Sequence, residues 1–327
     1  MYNEQLKLAF IDKYTEKEKT AKLVQHLFNG TAEIEKKYNL DFYAMNREQA
    51  QEAFNYASGT KVNGAEALLK ILQAYVRWCK ANGHPVTDAI SEVQIDVSDK
   101  IRDSYVMSPL HLKQSLDEAF PHPEENEIEY VYRSFLWLAF MGLQPSEAIK
   151  VTDADLDFSE SRLSYGGRIH PIYFESILDL KKAVTLKEFK EPRGKKGVRK
   201  QRAVGHEILR GKVTQKTLEE AVEQTFRPTI SRAFRTAFDK YVKECKVVPS
   251  HLSLKLTYKH VYMSGIFYRM RDRERIGFRP NFDEIVMIER RNSKESNFSR
   301  NYTERKLLNI LIRDMEKDYE NWKRAFP

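Results

Sequence analysis

The stretch EIEYVYRSFLWLAFMGL, residues 127–143, constrains the fold most. Its apolar run is too short for the ~20 residues a bilayer-spanning helix needs and sits mid-chain. It therefore reads as a helix held in the core of a sizeable domain, with Phe135, Trp137 and Phe140 as core aromatics rather than stacking platforms. Gly142 supplies the stop, and the next element begins at once with Gln144, Pro145, Ser146 and Glu147. The chain has 327 residues, of which 41% are hydrophobic, enough for two domains with real cores.

Residues 1–90 read as a compact helical domain. LKLAFIDKY opens it, and Leu23, Leu27, Ile34 and Tyr38 fall at three- and four-residue spacings. NREQAQEAFNYASG carries a short helix ending near Gly59. GAEALLKILQAYVRWCKANG then places Leu68, Leu72, Tyr75 and Cys79 on one face, with Gly83 and Pro85 as the stop. Residues 91–108 read as a polar linker, and Ser108-Pro109 starts the next helix. In residues 109–327, the apolar helix is followed by a period-two segment, RLSYGGRIHPIYF, which predicts a β-hairpin around Gly166-Gly167. EPRGKKGVRKQR reads as a basic loop. Helices follow at about 215–225, 228–244, 253–271 and 303–324. The fold class is mainly α with a small antiparallel β-sheet.

The formal net charge is +8, concentrated in local Lys/Arg clusters, which points to a polyanionic partner. Cys79 and Cys245 are the only cysteines, too few for a disulfide framework or a paired-cysteine metal box. The N-terminus lacks the apolar core of a signal peptide. These features predict a soluble cytoplasmic, nucleoid-associated protein with no membrane partner. Neither a Gly-rich phosphate loop nor metal-ligand spacing is present, so no cofactor and no metal are expected. His84, His111 and His122 are isolated and read as satisfied core or surface histidines.

Four segments, in order along the chain, resemble the tyrosine recombinases of the phage integrase type. QAYVRWCKANGHP resembles the last major helix of their core-binding domain, a SAM-like helical fold. FLWLAFMGLQPSEAIKVTDADLDF resembles their first signature box, LTYKHVYMSGIF the second, and SNFSRNYTE the stretch that ends at the nucleophilic tyrosine. The resemblance implies an N-terminal core-binding domain, and a C-terminal catalytic-type α domain with a small antiparallel sheet. It also implies that the two clamp a DNA duplex between them.

In that family a tyrosine attacks a phosphodiester while two arginines hold the non-bridging oxygens, and a His or Lys moves the leaving-group proton. Here the first arginine position is Gln144. The His opening the second box becomes Leu256, and the second arginine becomes Lys259, with His260 beside it. Arg168 stands near the family's hairpin lysine, with a pKa too high for easy proton donation. The late Gly-His falls on Asn292-Ser293, and the tyrosine on Tyr302, followed by Thr303. Removing one preorganised donor costs about 10²–10³ in rate, and a phosphoryl-clamping arginine is worth about 10³–10⁵. Several such losses imply a scaffold that no longer cuts DNA, so no catalytic residue is expected.

Binding is expected to survive. RPTISRAFRTAFDKYVKEC, residues 227–245, resembles the family's major-groove helix; Thr229, Ser231, Arg232 and Arg235 face DNA, and Phe234, Phe238, Tyr241 and Val242 pack inward. Arg193, Lys195, Lys196, Arg199, Lys200 and Arg202 form a supple cationic segment suited to phosphates. Lys259 keeps a charge near the vacated site. In the first domain Lys19, Lys22, Lys70 and Arg77 are the backbone-contact candidates. RMRDRERIGFR, residues 269–279, is balanced between internal salt bridges and a DNA-facing patch. The last helix, amphipathic through Leu307, Leu308, Leu311, Ile312, Met315, Tyr319 and Trp322, either folds back on its own domain, the preferred reading, or self-associates with a neighbouring subunit.

Double-stranded DNA is thus the principal partner, with an anti-repressor or other effector left open. A recombinase fold without its chemistry resembles the master repressors of lysogeny of SPbeta-like temperate phages, which implies a transcriptional repressor. Two alternatives stand beside it: an active integrase using Tyr302, and an architectural factor that bridges DNA.

Overall fold

A computed structural model describes residues 1–58, 62–186, 188–192, 198–202, 207–209, 217–244, 246–282 and 304–327, the side chains of 62–63, 88, 188–192, 198–202 and 304–307 excepted. The chain forms two compact units. The first comprises Met1–Ile101 with Arg313–Arg324, and the second Arg102–Ile312 with Ala325–Pro327.

The first unit is helical: α1 Glu4–Tyr14, α2 Glu18–Tyr38, α3 Arg47–Ala57 and α4 Val62–Ala81. An Asn46/Gln49 capping box starts α3, each side chain accepting the other's backbone N–H at 3.0 Å. On α4, Leu72, Tyr75 and Cys79 are fully buried, as the spacing predicts, while Leu68 of the same stripe is half-buried. The α2 stripe differs from the sequence reading. Leu23 is 44% exposed, and the buried face runs through Val24, Leu27, Phe28, Thr31 and Glu35. The core rings are those of Phe10, Phe28 and Tyr75, with centroids 4.9 to 6.0 Å apart. A polar pair lies inside: Lys7 Nζ sits 2.5 Å from Glu35 Oε1, and both side chains are fully buried. Cys79, expected as a small core residue, has its thiol pushed up to about 11 by burial.

Residues 91–108 are more than a connector. They contain α5, Ser98–Ser104, and bury Val93, Val97, Ile101 and Tyr105. Of these only Ile101 lies within α5; Val93, Val97 and Tyr105 flank it in non-helical backbone, so their four-residue spacing is not one helical face.

The second unit is built around α7, Ile128–Phe140, every residue of which except Glu129 is buried. Its one arginine is satisfied in place. Arg133 donates to Asp179 Oδ1 at 2.8 Å and to Asp117 Oδ1 at 2.7 Å, while Trp137 Nε1 donates to Asp179 Oδ2 at 2.8 Å. Around α7 lie α6 (Pro109–Ala119), α8 (Pro145–Ala148), α9 (Ile177–Thr185), α10 (Leu218–Ala221), α11 (Arg227–Lys243) and α12 (Tyr258–Arg275). Ser108 caps α6 by accepting from His111 N at 3.2 Å, with Pro109 in its first turn. A three-stranded antiparallel sheet runs in the order β1 (Leu156–Asp157), β2 (Arg162–Tyr165), β3 (Arg168–Pro171). The β2–β3 turn is the predicted Gly166-Gly167, with φ of 57° and 74°, the left-handed pair a two-residue hairpin needs.

The basic segment read as a loop contains a second hairpin, β4 (Glu188–Pro192) paired antiparallel with β5 (Val198–Arg202). Alternating charge hides the strand pattern there, because no apolar face marks it. The last helix, α13, spans Glu304–Ala325. Met315, Tyr319 and Trp322 on it are buried. Residues 313–324 group with the first unit rather than with the domain that precedes them. The expectation that this helix returns to its own domain is corrected accordingly: periodicity reports that a face must be buried, not against what.

His111 is a core histidine, 1% exposed. Its Nδ1 accepts from Met107 N at 3.4 Å and Nε2 lies 3.1 Å from Ser253 Oγ. Burial pushes its pKa down to about 4 from 6.5, so the ring is neutral in the fold at neutral pH. The unfolded chain takes up the proton first as pH falls. Stability from this group is complete above pH 6.5 and is lost towards pH 4, amounting to roughly 3 kcal/mol at about 1.4 kcal/mol per unit. Urea unfolding of wild type and His111→Gln at pH 7 and 5 checks this: the variant's loss between the two pH values is expected to be the smaller.

Candidate nucleic-acid interface

The site is organised by the end of α7. Leu143 N donates to Leu138 O at 3.1 Å and Gly142 N to Ala139 O at 2.8 Å, a Schellman closure with Gly142 left-handed at φ 99°. The remaining carbonyls are met by side chains: Phe140 O accepts from Arg269 Nη1 at 2.6 Å, and Met141 O lies 2.8 Å from His170 Nδ1. Glycine is required there by its φ; a Cβ would also lie 2.6 Å from Arg269 Nη2 and displace the end of that side chain from its place beside the turn.

The turn delivers Gln144 to the N-cap position of α8, half-buried and with extended backbone. Glu147, three residues on, accepts from Gln144 N at 2.8 Å. The same carboxylate forms an ion pair with Arg168. Gln144 and Arg168 are therefore brought together through Glu147, whose place three residues into α8 is the acceptor half of a capping box.

From the other side, Tyr258 Oη donates to Leu143 O at 2.8 Å, which fixes the start of α12 beside this turn. Leu256 is 2% exposed and belongs to the core. Thr257 caps α12, so Lys259 projects from the first turn and is exposed. His260 is half-buried, its ring 4.9 Å from Tyr105. Among the described positions singled out by the sequence resemblance, the charged groups are one guanidinium, already paired with a carboxylate, and one exposed ammonium. Ser293 and Tyr302 lie outside the described residues, as do Arg193, Lys195 and Lys196; Arg199, Lys200 and Arg202 are placed on β5 by backbone alone.

On α11, Ile230, Phe234 and Ala237 are buried at i, i+4, i+7. Phe238 and Tyr241 are half-buried, but Val242, expected inside, is 56% exposed because it falls off that stripe. Ser231, Arg232 and Arg235 are exposed and Thr229 is half-buried. Arg235 lies 4.0 Å from Asp239, a surface pair that holds it weakly. A π-helical stretch, Val222–Phe226, precedes α11, a feature frequent at functional sites.

In the first unit Lys70 and Arg77, seven residues apart, share an exposed face of α4. Lys19 and Lys22 are exposed on the first turns of α2, Lys22 being paired with Glu18 at 2.6 Å. The arginine-rich segment after residue 268 is used largely inside the second unit. Besides Arg269, Arg271 donates to Phe326 O at 2.8 Å and to Met107 O at 3.2 Å, and Arg275 lies 3.8 Å from Asp272.

No described helix is long and apolar enough to cross a membrane, and no described cluster of His, Cys, Asp or Glu could hold a metal ion. Residues 1–81 match the family model described as the N-terminal core-binding domain of MrpR. The match spans about a quarter of the chain and covers most of the helical part of the first unit. No curated protein matches the chain.

Proposed function

We propose that this chain is a sequence-specific double-stranded DNA-binding repressor on a tyrosine-recombinase scaffold that no longer cleaves DNA. Its regulatory setting follows the resemblance in the sequence: maintenance of a temperate phage's lysogeny. A core-binding domain suggests DNA binding and a recombinase-like regulator. The observation that carries the non-cleaving part is the state of the turn after α7. Gln144 brings no charge, and Arg168 is engaged by Glu147. A phosphate entering there meets a neutral amide and a neutralised guanidinium, which suits holding better than stabilising a pentavalent transition state.

Footprinting of recovered genomic fragments tests the reading: protected sites overlapping promoters support it, and the absence of any protected site contradicts it. Within such a site, Arg232→Ala and Arg235→Ala on α11 are expected to weaken binding, each by about 1–3 kcal/mol where the side chain reads a base edge. Where either meets a phosphate instead, the loss is uniform across sequences and the salt slope of log K falls by about one per contact. Fluorescence anisotropy over a salt series separates the two.

A further inference from the structure

Between the C-terminus of α6, the first turn of α7 and α11 lies a groove of about 420 Å³. That volume is in the range of small-molecule sites, roughly 300–1,000 Å³. Phe120, Tyr132 and Ala237 supply apolar wall, and the α11 contribution follows a helical face through Thr229, Arg232, Ala233, Thr236 and Lys240. Two acceptors here lack a well-placed donor. Asn126 Nδ2 donates to Glu129 Oε1 at 2.9 Å, leaving Asn126 Oδ1 and Glu129 Oε2 shielded from water and without a well-formed hydrogen bond among the described residues, although the His122 backbone N–H and the Arg133 guanidinium both favour the Glu129 carboxylate. Buried acceptors are normally satisfied.

The groove's charges divide similarly. Lys240 is taken by Glu118 at 3.1 Å, whereas Arg232 makes no ion pair among the described residues. DNA phosphate is a poor occupant, because the carboxylates of Glu118 and Glu129 oppose it. A group with N–H donors for Glu129 and Asn126, an anion for Arg232 and an apolar body between them matches all three features.

We propose that this groove binds a small amino-acid-like zwitterion, its ammonium set against Glu129 and Asn126 and its carboxylate against Arg232, and that occupancy withdraws Arg232 from DNA. Arg232 sits at the edge of two faces of α11, the groove side and the exposed side carrying Ser231 and Arg235, so one guanidinium is shared by two anions in competition. The ligand site is independent of the function proposed above; only the coupling to DNA rests on it.

The test uses the full chain with L-phenylalanine and L-leucine as probes. N-acetyl-L-phenylalanine removes the ammonium, and phenethylamine removes the carboxylate. Calorimetric titration is expected to show binding of a free amino acid, weaker or absent binding of the two truncated probes, and loss of binding in Glu129→Gln. With DNA present, saturating ligand is expected to weaken wild-type affinity by a factor within the usual 5–150-fold span of coupling, and to leave Glu129→Gln unaffected. Glu129→Gln is also expected to melt and bind DNA like wild type without ligand, which separates a lost site from a lost fold. No binding of any probe, or binding that survives Glu129→Gln, overturns the site. Phenethylamine binding as tightly as phenylalanine overturns the Arg232 half. Ligand binding with unchanged DNA affinity overturns the coupling, while unliganded protein that fails to bind DNA at all counts against the repressor reading and leaves the site standing.

Discussion

Gly265→Ala is expected to unfold the second unit. A Cβ at this position would stand 1.8 Å from Phe140 O, 2.6 Å from its carbonyl carbon and 2.9 Å from its Cα. These are backbone atoms of the central helix, so no rotamer change relieves the overlap. α7 and α12 would have to separate, and one turn further along α12, Arg269 would lose its bond to the same carbonyl. That bond adds to the backbone closure of the Gly142 turn that presents Gln144, so the damage reaches the interface as well. The loss is expected to exceed about 4 kcal/mol, the range in which overpacking and broken buried bonds combine. Gly64→Ala on α4 is the control: among the described residues nothing lies within 4 Å of its added Cβ, and a gain of roughly 0.5–1 kcal/mol is expected from helix propensity. Amide exchange of α7 measures the first and thermal unfolding the second. Near-wild-type protection of α7 in Gly265→Ala contradicts the close crossing.

The second large effect is in the first unit. Glu35→Ala leaves the Lys7 ammonium fully buried without its carboxylate, and it also strips acceptors from Thr31 Oγ1 and Phe42 N, each at 3.0 Å. Breaking one partner of a buried pair costs about 3–5 kcal/mol. Burial pushes the Glu35 carboxyl up and Lys7 pulls it down, so the two charges depend on each other. Removing both together is expected to be far milder. In Lys7→Met/Glu35→Gln the amide oxygen still accepts from Phe42 N, and the apolar side chain fits beside Phe28, whose ring centroid is 5.0 Å from Lys7 Nζ. Urea unfolding of the single and double variants checks this. A double variant no more stable than Glu35→Ala contradicts the pairing.

Gly265 and the Lys7–Glu35 pair owe their roles to contacts that no local pattern announces. The apolar α7, the Gly142 stop, the Gly166-Gly167 turn and the Ser108-Pro109 helix start were legible because each is written in consecutive residues with a local physical meaning. Gly265 was visible only as a small residue in LTYKHVYMSGIF; its need for contact with Phe140, 125 positions away, is a tertiary fact. Lys7 and Glu35 lie 28 positions apart on different helices, and each alone looks like a solvated charge. At the candidate site, Gln144, Lys259 and Leu256 were readable from their motifs, but the engagement of Arg168 by Glu147 was not, because the hairpin's approach to α8 leaves no sequence period. The β4–β5 hairpin was missed for the opposite reason: its composition spoke of charge and hid its strands.

Whether the protein holds DNA without cutting it is decided by incubating the full chain with a nicked suicide duplex carrying its own footprinted site, with denaturing electrophoresis reporting any covalent protein–DNA species. Saturable binding and no covalent band are expected for wild type, and no band for Gln144→Arg, since Leu256 and Lys259 still leave the phosphate without a second guanidinium and a proton donor. A covalent band that appears with wild type and disappears in Tyr302→Phe contradicts this expectation.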